Sequence, residues 1–207
     1  MRSIKHFFEQ SWLLIAASFF FGLLIAATNA ALSDRIEMNK VTKLTSLAKG
    51  LLPQAEKFAP VKEKIEIEAF DGKPEVAAVY EAIADGNTVG WTFKATGSGF
   101  ADKIELVVAV DKDFETLAGF DVLLSNETPG YGDQIKESYF RNQFAGAPAA
   151  SLSLASMGNL EKIDEEIVAI SGATVSSTGV VETINHYVAK IKEQFQKKGL
   201  IGNGNES

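Results

Sequence analysis

The longest apolar run of the chain lies near its N-terminus. Residues 11–32 (SWLLIAASFFFGLLIAATNAAL) include no charged side chain. About twenty apolar residues, each rising about 1.5 Å along a helix, cross a hydrocarbon core of about 30 Å. The run therefore predicts a transmembrane helix. A cleaved signal peptide is the alternative, since Arg2 and Lys5 precede the run and Ala30 is small. Cleaved signals have shorter apolar cores, which favours an anchor that is retained.

Helical periodicity continues after the apolar run. Ile36, Val41, Leu44 and Leu47 recur at helical spacing. Pro53 is expected to end this helix, because proline cannot continue the backbone hydrogen bonding. Residues 33–74 are therefore predicted to be a helical extension followed by a connector, with only short irregular elements between Pro53 and residue 74.

Alternating apolar and polar positions then predict β-hairpins. The strands are expected at residues 75–84, 88–96, 103–110 and 116–125. Turn residues separate them at 85–87 (DGN), 97–99 (GSG) and 111–113 (DKD). Trp91, Phe114 and Phe120 are expected in the core of the resulting sheet.

The C-terminal part of the chain returns to helical spacing. IVAI, at residues 167–170, predicts a short buried strand, and a helix is predicted from Thr174 to about Gln196. Its apolar face comprises Val181, Ile184, Val188, Ile191 and Phe195. Residues 198–207 are expected to form a flexible tail. Hairpins with flanking helices define an α+β fold class, here a single transmembrane helix followed by one domain with an antiparallel sheet.

Composition excludes several kinds of function. The 207 residues carry a formal net charge of −7, and there is no basic stripe to meet the phosphates of a nucleic acid. The chain has no cysteine, which rules out disulfides and cysteine-ligated iron–sulfur clusters. Its two histidines are far apart in sequence, so no metal site is expected. The residues also indicate no catalytic acid or base.

The stretch SGATVSST, at residues 171–178, lies where the predicted strand passes into the last helix. A helix beginning near Thr174 presents unpaired N–H groups and a partial positive charge, which suit a phosphate. Gly172 permits close backbone approach, and Ser176 and Ser177 are expected to add exposed hydroxyl donors. The alternative is a capping cluster in which Ser171 or Thr174 only satisfies the helix end.

A second candidate site is SNETPGYGD, at residues 125–133. Pro129 and Gly130 form a turn pair, because proline fixes φ and glycine accepts a positive φ. Gly132 would let the loop lie flat against a planar ligand, with Glu127 and Thr128 at its rim. The alternative is an ordinary turn after a strand.

The two stretches together resemble the FMN-binding domain found in the G subunit of the Rnf complex and in the C subunit of the Na+-translocating NADH:quinone reductase. The likeness runs from about Val76 to Lys190 and includes, in order, GSGF, NETPGYGDQI and SGATVSS. The anchor and the segment from Ile36 to Lys40 match as well.

The resemblance implies a covalent flavin. A flavin transferase would esterify the FMN phosphate to Thr174, and residues 75–197 would form the FMN-binding domain. The loop beside the isoalloxazine ring would comprise Glu127, Thr128, Pro129, Gly130, Tyr131 and Gly132. The residues around the attachment point would be Ser171, Gly172, Ala173, Val175, Ser176 and Ser177.

Two positions depart from the family pattern. Val168 occupies the position, six residues before the modified threonine, at which the family often has an acidic residue that the transferase could read. Tyr131 replaces the usual leucine, although a tyrosine can still cover a flavin edge.

By resemblance, the chain is an electron-transfer subunit of a membrane-bound, ion-translocating, Rnf-type ferredoxin:NAD+ oxidoreductase. Its partners would be the other subunits, the flavin transferase and membrane lipid. The charges around residues 11–32 do not decide orientation; the resemblance implies a cytoplasmic segment at residues 1–10 and an extracytoplasmic FMN domain in the cell membrane. The alternatives are a protein like the C subunit of the quinone reductase, a flavoprotein of another membrane redox chain, or an anchored binding module without redox function.

Overall fold

The computed structural model describes residues 2–202, with the side chains of residues 2–10, 34 and 37 left aside. Two compact units divide the chain, residues 1–42 and 43–207. The helices and strands, in chain order, are α1 (Arg2–Leu51), β1 (Lys57–Pro60), β2 (Ile65–Glu68), β3 (Pro74–Ala77), β4 (Val79–Ala84), β5 (Asn87–Ser98), β6 (Lys103–Asp111), β7 (Leu117–Ser125), α2 (Ser138–Arg141), β8 (Ser153–Ala155), β9 (Glu166–Val168) and α3 (Thr174–Lys197). Short 3-10 turns lie at Gly132–Lys136 and Asn142–Phe144.

The first unit consists of α1 up to Thr42. Ser11–Ser33 within it is long and apolar enough to cross a membrane. Its large side chains are exposed; Phe19, for example, is 72% exposed. The predicted N-terminal apolar helix is therefore confirmed by length and composition, and an exposed apolar surface of this size is typical of a membrane or protein contact.

The second unit is built on a five-stranded antiparallel sheet in the order β1-β4-β5-β6-β7. Asp85 and Gly86 form the two-residue turn between β4 and β5, with φ of 49° and 76°. Positive φ at both positions is the geometry that matches the twist of a tight hairpin, and it explains why the sequence has Asp-Gly here. The α+β prediction is confirmed.

Both faces of the sheet are covered. One face carries the main core, where the predicted apolar face of α3 packs with Trp91, Phe93 and Phe114 of the sheet and its turns. On the other face, Leu44 and Ala48 from the last turns of α1 pack against Val107 and Leu123. Double coverage explains why residues 106–110 (LVVAV) are continuously buried rather than alternating with exposed positions.

Several predicted elements differ in the structure. The connector contains two strands, β1 and β2, and β1 joins the main sheet by pairing with β4. The single strand expected at residues 75–84 is two strands, because β3 pairs with β2 while β4 pairs with β1 and β5. β5 continues through Ser98, so the turn expected at residues 97–99 begins later.

The C-terminal predictions hold in part. The helix expected from Thr174 is α3, and Ile167 is the buried residue of β9, which pairs in parallel with β8. Leu200 and Ile201 pack against the main core, so the first part of the predicted flexible tail is wrong. The remainder of that tail, residues 203–207, lies outside the described residues.

Candidate functional site

The start of α3 lies close against the end of β5 and the loop that follows it. A Cβ atom at Gly97 would come 1.7 Å from Oγ1 of Thr183, a distance that no side chain tolerates. Thr183 is itself buried and donates its hydroxyl to the carbonyl of Gly179, 2.5 Å away. Glycine at position 97 therefore lets the helix approach the strand at backbone distance, and this contact fixes where the SGAT stretch lies.

The N-terminus of α3 has no side-chain cap among the described residues. Its N-cap is Ala173, with φ −133° and ψ 38°, and its first turn has no acidic residue. Helical geometry leaves the N–H groups of the first turn without intrahelical acceptors. The interpretation of Ser171 or Thr174 as a simple cap is therefore wrong. Both side chains are exposed, and the helix end keeps its partial positive charge.

The two serines of SGATVSS are not exposed donors, as the sequence led us to expect. Ser176 is 2% exposed and Ser177 is fully buried. The hydroxyl of Ser177 donates to the carbonyl of Ala173 at 3.0 Å and accepts from the N–H of Ile170 at 3.0 Å. Ser177 thus ties the strand-to-helix junction together. It is not among the residues that line the cavity described below.

The second stretch forms the predicted turn. The N–H of Tyr131 donates to the carbonyl of Thr128 at 3.2 Å, with Pro129 at the second position and Gly130 at φ 77°. These are the residue preferences of a type II turn. Gln134 Nε2 donates to the carbonyl of Gly130 at 2.7 Å, which secures the loop from its far side.

Glu127 connects this loop to two other segments. It is 5% exposed, and its carboxylate accepts from the hydroxyl of Ser176 on α3 and from the N–H of Ala101, at 2.9 Å, in the β5–β6 loop. Burial raises the pKa of Glu127, but the hydrogen bonds from Ser176 and from the N–H groups of Ala101, Phe100 and Asp102 outweigh it. The pKa is therefore held below its ordinary value, and the side chain is ionised at neutral pH. Glu127 is therefore a buried side chain that holds the three segments together, and not the acceptor at the rim of the loop that the sequence led us to expect.

Two glycines make room for this carboxylate. A Cβ atom at Gly99 would lie 2.3 Å from Oε1 of Glu127. A Cβ atom at Gly132 would lie 2.5 Å from its Oε2 and 2.7 Å from the hydroxyl of Ser176. Close packing around Glu127 therefore explains why GSGF and NETPGYG have glycine at these two positions.

A cavity of about 470 Å³ opens where these segments meet. Its lining residues are Phe100, Glu127, Thr128, Tyr131, Gly132, Gly172, Ala173, Thr174, Val175 and Ser176. The structure thus brings together most of the residues that the two motifs predicted, although 37 residues lie between the motifs in the sequence. Pro129, Gly130, Ser171 and Ser177 are not part of the lining.

Phe100 was missed as a site residue. It is 71% exposed, and it lies in the β5–β6 loop directly after the glycine that packs on Glu127. The signal in the sequence was the phenylalanine of GSGF, because a bulky apolar side chain in a turn between strands is not expected to be buried in the core.

The backbone of Val168 is hydrogen-bonded to a buried glutamine. The amide of Gln143, which is 1% exposed, accepts from the N–H of Val168 at 2.7 Å and donates to its carbonyl at 3.3 Å. The backbone at this position is therefore fixed by a buried glutamine, and the half-buried side chain of Val168 adds no charge ahead of the SGAT stretch.

The cavity fits a flavin mononucleotide. Its volume lies within the range of about 300–1,000 Å³ that is usual for cofactor sites. Phe100, Tyr131 and Val175 offer apolar surface for a planar ring, and the uncapped end of α3 offers N–H groups for a phosphate.

Known proteins are similar to this chain in sequence. Residues 99–189 match the family model described as the FMN-binding domain. The G subunit of the ion-translocating oxidoreductase complex of Methanosarcina acetivorans is 32% identical over 171 residues, covering 83% of this chain and 87% of that protein. The chain belongs to the family of G subunits of ion-translocating oxidoreductase complexes. It contains that family's FMN-binding domain, and FMN is its cofactor.

Other relatives support the family assignment and the fold. The G subunit of the Na(+)-translocating ferredoxin:NAD(+) oxidoreductase complex of Acetobacterium woodii is 31% identical over 188 residues, covering 87% of this chain and 89% of that protein. The crystal structure of Shewanella oneidensis NqrC matches with a TM-score of 0.52 at 23% identity, covering 70% of this chain and 72% of that chain. The latter likeness concerns the fold alone.

Proposed function

We propose that this protein is a membrane-anchored electron-transfer subunit of an ion-translocating ferredoxin:NAD+ oxidoreductase complex, and that it carries FMN through a phosphoester on Thr174. The observation that carries the proposal is the position of Thr174. Its exposed side chain lines the cavity at the uncapped N-terminus of α3.

The helix end supports attachment through phosphate. A phosphodiester keeps one negative charge, and the first-turn N–H groups and the helix dipole stabilise an anion at this point. Gly172 has a positive φ of 78°, which turns the backbone two residues before Thr174. Ser171 and Gly172 are both exposed. An exposed threonine preceded by small residues leaves a flavin transferase free to reach its hydroxyl.

The cavity wall supports binding of the ring. Bound FMN supplies electron transfer in one-electron or two-electron steps. Phe100, Tyr131 and Val175 would cover its apolar surface and exclude water. Glu127 joins the two loops between which the ring would lie. None of these side chains needs to move a proton for the protein to act as a carrier.

Family membership supports the choice of partners. The relatives named above are subunits of multi-subunit complexes, so the proposed partners are the other subunits of such a complex, a flavin transferase during maturation, and lipid around residues 11–33. The proposed arrangement has residues 1–10 in the cytoplasm, the helix crossing once, and the FMN-binding domain of residues 75–197 outside the cytoplasm.

Thr174→Val tests the attachment against a matched control. Valine has nearly the shape of threonine, so the domain should fold while covalent flavin is lost. Thr178→Val removes a hydroxyl one turn later, whose bond goes to the carbonyl of Thr174, and should keep the flavin. The measurement is in-gel fluorescence of protein expressed with its transferase and then denatured, because covalent flavin alone survives denaturation.

Peptide mass spectrometry then locates the flavin. Finding FMN on Ser171, Ser176 or Thr178 would refute the assignment to Thr174. Wild-type protein without fluorescence would refute covalent attachment and favour a protein that binds FMN reversibly or a binding module without a redox function.

A further inference from the structure

Glu127 is the single charged side chain among the ten residues that line the cavity. It is 5% exposed, so little water reaches its carboxylate to screen it. The other lining side chains are apolar, neutral polar or absent. A net negative charge therefore lies in the wall of a site proposed to hold a group that gains electrons.

The carboxylate cannot easily move or lose its charge. Its donors come from two separate elements, the β5–β6 loop and α3, and Gly99 and Gly132 pack against both of its oxygens. Rotation of the side chain would break bonds to both elements at once. The same hydrogen bonds stabilise the charged form, as described above.

We propose that the Glu127 carboxylate acts as a fixed negative charge that lowers the reduction potential of the flavin in this cavity. This inference rests on the proposed function. Each electron that enters the flavin without a proton from solvent adds one negative charge to it, and a buried anion nearby opposes that charge. At an effective dielectric constant of about 20, an anion about 10 Å away changes such an equilibrium by about tenfold or more.

The test compares Glu127→Gln with Ser176→Ala in the full-length, flavin-loaded protein. Glutamine keeps the shape and an acceptor for Ala101 but removes the charge. Ser176→Ala removes one donor and keeps the charge. Redox titration followed by absorption should show that, at the wild-type midpoint, Glu127→Gln raises the ratio of reduced to oxidised flavin about tenfold, which is about 59 mV for a one-electron couple. Ser176→Ala should change it much less.

Two results would overturn the proposal. One is a wild-type potential in a folded Glu127→Gln protein. The other is an equal shift in both variants, which would mean that Glu127 acts only by positioning the loops. Thermal melting of each variant in parallel establishes that the compared proteins are folded.

A second measurement applies if Glu127→Gln does not fold. Protonation of Glu127 removes the same charge, so the potential should rise at acidic pH beyond the flavin's own pH dependence. In Ser176→Ala that rise should begin at a higher pH, because a bond to the charged form is lost. The other titratable groups on the segments around Glu127 are Asp102, Lys103, Tyr131 and Asp133, and they are unchanged in both proteins. Identical pH profiles would contradict the proposal.

A denaturing gel separates this proposal from the proposed attachment. If the wild-type protein carries no covalent flavin, the attachment is wrong, and the charge is tested with added FMN. Glu127→Gln should then bind reduced FMN more tightly, relative to oxidised FMN, than the wild type does. Equal ratios, or a wild type that binds neither form, would overturn the proposal.

Discussion

Gly179 on α3 lies directly against the main-chain carbonyl of Ser98 at the end of β5. A Cβ atom at position 179 would come within 2.2 Å of that oxygen and 3.2 Å of the carbonyl carbon. The obstacle is backbone, which cannot turn aside as the end of a flexible side chain can. This contact sets the distance between the helix that carries Thr174 and the loop that carries Phe100.

Gly179→Ala should therefore destabilise the protein, by about 2 kcal/mol, because overpacking at a backbone contact forces the helix outwards. Glycine to alanine inside a helix otherwise stabilises by up to about 1 kcal/mol. Gly50→Ala is the matched control, since Gly50 is helical and a Cβ there meets no atom of the described residues within 4 Å. Chemical denaturation of the two variants should give changes of opposite sign; a stabilised Gly179→Ala would show that the contact is not tight.

Gly132→Ala should disturb the flavin environment. The new Cβ would press on the Glu127 carboxylate and the Ser176 hydroxyl, both of which border the cavity. Gly130→Ala is its control. A Cβ atom at Gly130 meets no atom within 4 Å in the part of the chain that the structure describes. The variant should therefore cost only about 1 kcal/mol of backbone strain at φ 77° and leave the flavin absorption spectrum unchanged. Equal spectra for both variants would place the loop away from the ring.

Stability should depend on pH through Glu127. Its pKa is lower in the folded protein than in the unfolded chain, so its contribution is fully present above the unfolded value of about 4.3 and is lost as pH falls through the folded pKa. The melting temperatures of flavin-free wild type and Glu127→Gln should therefore differ most near neutral pH and converge in acid. A constant difference across this range would mean that Glu127 has no depressed pKa.

Phe100→Ala should alter the flavin spectrum without destabilising the fold, because the side chain is 71% exposed and lines the cavity. Met157→Ala removes a side chain that is 87% exposed and is not part of the lining, so it should change neither property. The measurement is visible absorption and fluorescence quenching of the bound flavin. An unaltered spectrum in Phe100→Ala would remove this residue from the site.

The apolar helix should remain in the mature protein. Ser11–Ser33 is longer than the apolar core of a cleaved signal, so protein isolated from membranes should retain its N-terminal residues and resist extraction at alkaline pH. Intact-mass measurement decides the point. A mature chain that begins near Ala31 would establish cleavage.

The sequence predicted well wherever local spacing carries the information. The apolar face of α3 and the Asp85-Gly86 turn both follow from neighbours a few residues apart. Prediction failed where pairing is remote. Nothing local divides residues 74–84 into two strands, since the division reflects different partners for β3 and β4.

The same limit applies to the site. Sequence nominated Thr174, Glu127 and their neighbours through two short motifs, and it located the start of α3 correctly. It also predicted that Ser176 and Ser177 would be exposed, whereas both are buried. A serine near the start of a helix has the same sequence pattern whether its side chain is exposed or buried. Only packing decides whether its hydroxyl faces a ligand or the core.

By itself, the sequence determined the long elements of this protein and their order: an apolar helix, antiparallel hairpins, two glycine-bearing motifs and a final amphipathic helix. The tertiary structure alone decided that Glu127 and Ser176, which are 49 residues apart, share a hydrogen bond in the wall of a cavity that also includes Phe100. The physical reason is range. Hydrophobic periodicity and turn preferences act over a few residues, whereas a buried carboxylate depends on donors that only the folded sheet and helix bring together.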